Sequence, residues 1–175
     1  MAMKTVIEFS LDSKSIGNAI KQLDAYRDDF KRKCELLRQK VAERIRWSAQ
    51  EGFSSAMVTD VIVGDYNPTN DVQVTVKNEG NVSIVIASGE EAVFIEYGAG
   101  VYHNGAVGSS PHPWGAQQGY TIGSYGKGKG KYDAWSFYED GKRVYTAGTP
   151  AAMPMYRGAE EAIRTIGELV REVFG

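Results

Sequence analysis

Between residues 16 and 45 the apolar side chains fall at Ile16, Ile20, Leu23, Phe30, Cys34, Leu37, Val41 and Ile45, with Lys, Arg, Asp and Glu filling the other positions. That spacing draws one apolar stripe along a helix and predicts a long amphipathic helix, or two with the break at Asp28-Asp29. Ser13 or Ser15 is placed to cap its start, and Gly52 ends or weakens it. The period then changes to two. Val72, Val74 and Val76 alternate with polar residues, Glu79-Gly80-Asn81 makes a turn, and Val82, Ile84 and Ile86 answer on a return strand. A second hairpin is written in "WSFYEDGKRVYT", with Trp135, Phe137, Val144 and Tyr145 around an Asp140-Gly141 turn. Pro154 stands where a first helical residue belongs, and Met155, Ala159, Ala162, Ile163, Ile166, Leu169 and Val170 trace a final apolar stripe.

Other segments lack a period. "KTVIEF" at 4–9 reads as a short strand or extended arm, so residues 1–12 are an N-terminal arm or strand. "DYNPTND" at 65–71 is a turn. Residues 98–131 are rich in Gly and Tyr and predict a long mobile loop. Helix, hairpin, loop, hairpin, helix is an α+β arrangement. The expected fold is one domain over 1–175: a small antiparallel sheet of hairpins with the C-terminal helix packed on it. No internal repeat is visible.

Composition narrows the function classes. With 175 residues, 42% hydrophobic and 24% charged, the chain can bury a core as one unit. A formal net charge of −2 gives no global attraction to nucleic acid or an anionic membrane. The dense positive charge between residues 27 and 46 is offset by interleaved Asp and Glu, as on a solvated helix face. One cysteine, Cys34, cannot make an intrachain disulfide or a paired-thiol zinc site. No secretory h-region and no membrane-length apolar window is present, so the expectation is a soluble protein made in the cytoplasm.

Candidate chemistry is thin. Cys34 with His103 or His112 would be a thiol and base pair, but Cys34 falls on the apolar stripe, where a small buried thiol belongs. The two histidines have no metal-ligand spacing and read as loop surface or contact residues. "GSYGKGKGKY" lacks the Lys-Ser/Thr ending of a phosphate loop and precedes a hairpin, not a helix. It is better suited to touching a DNA backbone through Lys127, Lys129 and Lys131, or to ordering against a protein partner. Glu90-Glu91 and Glu160-Glu161 are adjacent pairs that point apart. Neither catalytic residues, a cofactor nor a metal is expected.

Two motifs carry a resemblance. "VFIEYGAGV" supplies Phe94, Ile95, Glu96, Tyr97, Gly98 and Gly100, and "TAGTPAAMPMYRGAEEAI" supplies Gly148, Pro150, Pro154, Met155, Tyr156 and Ala159. In this order, separated by a long loop and an aromatic hairpin, they resemble the HK97 gp10-like family of tailed-phage head–tail joining, or tail-completion, proteins. The likeness runs from about Ile16 onward and departs at "FSSAMVTDVIVGDYNP", which lacks the family's Gly-x-Leu segment. It implies a non-enzymatic virion protein of a phage or prophage neck, made in a host bacterium. Such a protein would form a ring with itself, a hexamer or dodecamer by analogy, and dock onto connector, adaptor and tail proteins. It would make at most passive contact with DNA and none with membrane. Tyr102, Trp114, Tyr120, Tyr125 and Tyr132 are then candidate assembly contacts, and Lys127, Lys129 and Lys131 candidate lumen residues. The alternatives are a nucleic-acid-binding protein using the basic helix face and Lys/Gly loop, a tail-terminator or tail-tube component, or a lytic enzyme working through Cys34 or a histidine. Glu96, before two glycines, is expected to hold a turn by accepting nearby backbone N–H groups, or to meet an arginine of a neighbouring subunit.

Overall fold

A computed structural model describes residues 7–100, 110–115, 117–119 and 134–175. Its element order is α1 (Ser13–Ser55), β1 (Asp60–Val63), β2 (Gln73–Glu79), β3 (Val82–Ser88), α2 (Ala92–Tyr97), β4 (Ala99–Gly100), β5 (Trp135–Glu139), β6 (Lys142–Thr149) and α3 (Pro154–Phe174). The expected α+β architecture is present: a long first helix, small antiparallel sheets and a C-terminal helix that packs with them around one core.

The first helix is single, 43 residues without a break at Asp28-Asp29. Those aspartates are compatible with helix because they are paired along it: Asp29 with Arg32 at 2.6 Å and Lys33 at 3.1 Å, and Asp28 with Arg27 at 3.2 Å. Asp12, not Ser13 or Ser15, is the N-cap, its carboxylate accepting the Lys14 and Ser15 N–H groups. Residues 7–9 form no strand, and the rest of the predicted arm lies outside the described residues.

Both predicted hairpins form, but in different sheets. Strands β2 and β3 pair alone, with Val74 opposite Ala87 and Val76 opposite Val85. Residues directly opposite share a face, so Val85 and Ala87 are the ones turned toward the core. Val82, Ile84 and Ile86, the apolar residues read from the return strand, lie on the outer face beside Thr75 and Lys77 and are exposed. A return strand with apolar residues on both faces carries no signal of which face is buried. Strands β5 and β6 turn at Asp140 (φ 48°) and Gly141 (φ 75°), the paired positive angles that a two-residue hairpin turn needs. β6 then continues, with β1 on one edge and β5 followed by β4 on the other.

The core gathers Ala49 and Phe53 of α1, Val58, Val72, Val74, Ala92 and Ile95, with Val85, Ala87, Ala152 and Met155 packed against it. Along α1, α3 runs antiparallel at close range. Gly158 makes this possible, since a Cβ there would sit 3.0 Å from the Ile45 carbonyl oxygen and 3.3 Å from the Ala49 nitrogen. Gly158→Ala should therefore cost about 1–3 kcal/mol, read by urea denaturation, because backbone rather than a pliant side chain must move.

Lys40 pairs with Glu172 at 2.7 Å, and the Phe30 and Phe174 rings lie 5.8 Å apart, so α3 ends beside Phe30. The α1 turns before Phe30 run past that end by roughly 25 Å at 1.5 Å per residue. On them Ile16, Ile20, Leu23 and Tyr26 are exposed. Of the predicted α3 stripe, Ala162 and Leu169 are buried, together with Gly158 and Val173, whereas Ile163, Ile166 and Val170 are exposed. Cys34 is likewise exposed, a correction to its expected burial: it lines an open concavity with Phe30, Arg38 and Asn81 at the hairpin tip.

Candidate functional site

Glu96 is the centre of the most constrained polar cluster. It stands in the last turn of α2, a six-residue helix closed by Gly98, whose φ of 81° is open to glycine and whose N–H returns to the Phe94 carbonyl. The carboxylate is 6% exposed and does not bond to its own turn. It reaches the start of α3: Oε2 accepts the Met155 N–H at 2.8 Å, and Oε1 accepts the Tyr156 N–H at 3.0 Å. The expected turn-holding role is thus replaced by a longer reach, to a helix 59–60 residues away.

The need for that reach is local. The residue before α3, Met153, sits in the left-handed region (φ 57°, ψ 46°) and offers no side-chain cap. Pro154, at the first helical position, has no N–H to satisfy. Arg157 already donates to the Met153 carbonyl, which leaves the Met155 and Tyr156 N–H groups as the orphan donors that Glu96 takes. Its negative charge also opposes the positive end of the α3 dipole. One residue earlier, the Ile95 carbonyl accepts the Ala152 N–H at 2.9 Å and the Met153 N–H at 3.4 Å. The last turn of α2 is in effect the cap of α3.

His112 completes the cluster. It was expected on a loop surface; instead it is 3% exposed, with Nε2 3.1 Å from Glu96 Oε1. Nδ1 accepts the Trp114 N–H at 3.0 Å, so the proton resides on Nε2, which donates to Glu96. Ser110 donates its hydroxyl to the Tyr97 carbonyl and accepts the His112 N–H, closing the turn at 110–115. The rings of Tyr97 (4.4 Å), Tyr156 (5.3 Å) and Trp114 (5.9 Å) surround the imidazole. This part of the expected mobile loop is folded, because a histidine in it has a carboxylate to meet. The cluster borders a groove of about 520 Å³ walled by Val85, Ala87, Val93, Trp114 and Met155.

Every oxygen of Glu96 is engaged by the fold, and the chemistry available to it is that of a hydrogen-bond acceptor. Cys34 and His112 are not brought together, since one lies at the hairpin tip and the other beside α2. Of the other predicted residues, Gly100 pairs with Gly148 across β4 and β6, Pro150 follows β6, and Trp114 is half exposed against Tyr156. His103, Tyr102, Tyr120, Tyr125, Tyr132, Lys127, Lys129 and Lys131 lie outside the described residues. Among the described residues no group of His, Cys, Asp and Glu is placed to hold a metal ion, and no helix is long and apolar enough to cross a membrane.

Part of the positive charge of α1 is neutralised along the helix itself. Arg27, Arg32, Lys33, Arg38 and Arg46 pair with acids three or four residues away on the same helix. A second cluster was invisible to sequence reasoning: Tyr66, Phe94 and Phe137 converge with Glu91 and Glu139 from three distant segments. Burial, then the like charges of Glu90 and Asp71, hold the Glu91 carboxyl above its ordinary range. Burial, then Glu139 and Glu91, push the Tyr66 hydroxyl up.

The fold and site together define a small α+β protein whose buried acid serves as a helix cap. No protein-family profile, curated protein or solved structure matches the chain.

Proposed function

We propose that this protein is a virion structural component of a tailed phage or prophage, at the head–tail junction or the top of the tail. It assembles into a ring with copies of itself and docks onto connector and tail proteins. The observation that carries the reading is exposed apolar surface on rigid elements. Ile16, Ile20, Leu23 and Tyr26 are exposed on the α1 overhang, and Ile163, Ile166 and Val170 on α3. Contiguous apolar side chains of this kind on regular structure mark contact surfaces. The use of Glu96 as a cap accords with a role played by shape, and the two motifs that carry the phage resemblance meet at that cap.

Two measurements test the reading. Mass spectrometry of purified particles, with tail-less heads as comparison, should find the protein in complete virions; its absence from particles would count against the role. Sedimentation of the purified protein should show a closed oligomer that Leu23→Asp, a surface change, dissociates. A protein that stays monomeric alone and in the presence of tails is not a ring component.

A nucleic-acid-binding role has narrower support. Arg44 and Arg157 line one concavity beside the exposed Trp47, with Glu51 and Glu161 in the same wall. Salt-sensitive retention on mixed-sequence DNA would favour it.

A further inference from the structure

Phe94 and Glu96 are two residues apart in α2, so their side chains leave the helix on nearly opposite sides. Glu96 is turned to the α3 cap. Phe94 is turned to a cavity of about 430 Å³ that it lines with Tyr66, Phe137, Glu91 and Glu139. Tyr66 and Phe137 meet edge to face, centroids 5.0 Å apart at 82°. The two threonine hydroxyls in the wall are already used: Thr59 bonds Thr146, and Thr149 donates to the Val58 carbonyl. That leaves the Tyr66 hydroxyl and the Glu91 and Glu139 carboxylates, and neither carboxylate has an ion pair or side-chain hydrogen bond among the described residues. No described Lys or Arg lines the cavity.

Three aromatic rings beside two unneutralised carboxylates are chemically matched to one class of guest, an organic cation on an alkyl stem. The stem is covered by the rings, the ring faces attract the positive charge, and the carboxylates pair with it. We propose that this cavity is a lysine-binding site filled by a side chain from a second copy of the chain. The donor is on the page: Lys14 and Lys21 lie on the α1 overhang, seven residues apart and so on one helix face, and neither has an acidic partner. One copy thus presents cations on a projecting helix, and the same chain presents the complementary pocket elsewhere. A contact between two different surfaces is head-to-tail, the kind that closes into rings. Burial is the main cause that raises Glu91 and Tyr66, and the smaller contribution of neighbouring carboxylates is the part such a cation relieves.

The choice of a second copy as donor rests on the self-assembly reading; the cation site itself does not. Titration of the full chain with butylammonium, followed by the ring resonances of Tyr66 and Phe137, should give a saturable shift in the millimolar range, and butanol should give none. Glu91→Gln with Glu139→Gln, folded by circular dichroism, should weaken butylammonium at least tenfold. An equal response to butanol, or an unchanged affinity in the double variant, would overturn the site. For the donor, Lys14→Ala with Lys21→Ala should weaken self-association in sedimentation about tenfold, and butylammonium should compete. If the protein self-associates and these changes leave it untouched, the second-copy assignment fails. If it never self-associates, the ring reading fails while the amine titration still decides the site.

Discussion

Glu96→Ala is expected to lose about 3–5 kcal/mol of unfolding free energy, measured by urea denaturation near neutral pH. Three donors lose their acceptor at once: the Met155 N–H, the Tyr156 N–H and His112 Nε2. Hydrogen bonds to a charged partner are worth about 1.5–3 kcal/mol each, and losses that share one carboxylate are not additive. The N-cap residue itself cannot substitute, because Met153 offers no side-chain bond to the helix start. Glu96→Gln keeps one carbonyl acceptor and should lose roughly half as much. Amide exchange should localise the damage, with faster exchange at Met155 and Tyr156 in either variant. A loss under about 1 kcal/mol for Glu96→Ala would mean that water replaces the carboxylate freely, and the capping account would be wrong.

The second large effect lies at Phe53, a side chain with no exposed surface at the end of α1. It packs in one cluster with Val58, Val72, Val74, Ala92 and Ile95. Phe53→Ala should cost about 3–5 kcal/mol, the lost transfer energy plus the cavity that remains. Its backbone carbonyl would still accept the Asn70 amide, bonded at 2.6 Å, so the chain path after α1 should survive the change. Phe53→Leu keeps most of the volume and should cost less than about 1.5 kcal/mol. Tryptic cleavage at Lys77 in β2 is the second readout. It should accelerate in Phe53→Ala, because the two-stranded sheet is held to the rest of the molecule mainly through this cluster.

The parts of the fold with a sustained period were legible. The helical character of residues 16–45, two hairpins with glycine at the turn and a helix opened by proline all follow from short-range chemistry, whereas the continuity of α1 through Asp28-Asp29 does not. What was not legible depended on contacts across the chain. β1 is four residues long and pairs with β6 through shifted register, and α2 is six residues in an apolar run that reads equally as strand. Cys34 and the outer strip of α3 obey the apolar pattern, but the pattern records which side is apolar, not how far a neighbour extends to cover it. Glu96 drew attention because a carboxylate in an apolar run needs a partner. Its partners were hidden, because two of them are backbone N–H groups of a helix far along the chain and the third is a histidine in a glycine-rich segment. The same distance hid the cavity of Tyr66, Glu91, Phe94, Phe137 and Glu139.

The order of synthesis gives the pairing of α1 with α3 a consequence in time. The inner stripe of α1 is complete once Ser55 has been joined, but its antiparallel partner ends at Phe174, about 120 residues later. At 5–20 residues per second the ribosome leaves that stripe uncovered for roughly ten seconds. Through that interval the nascent helix is a greasy rod waiting for the last segment to be made. An uncovered apolar stripe of that kind is what makes incomplete chains prone to aggregate.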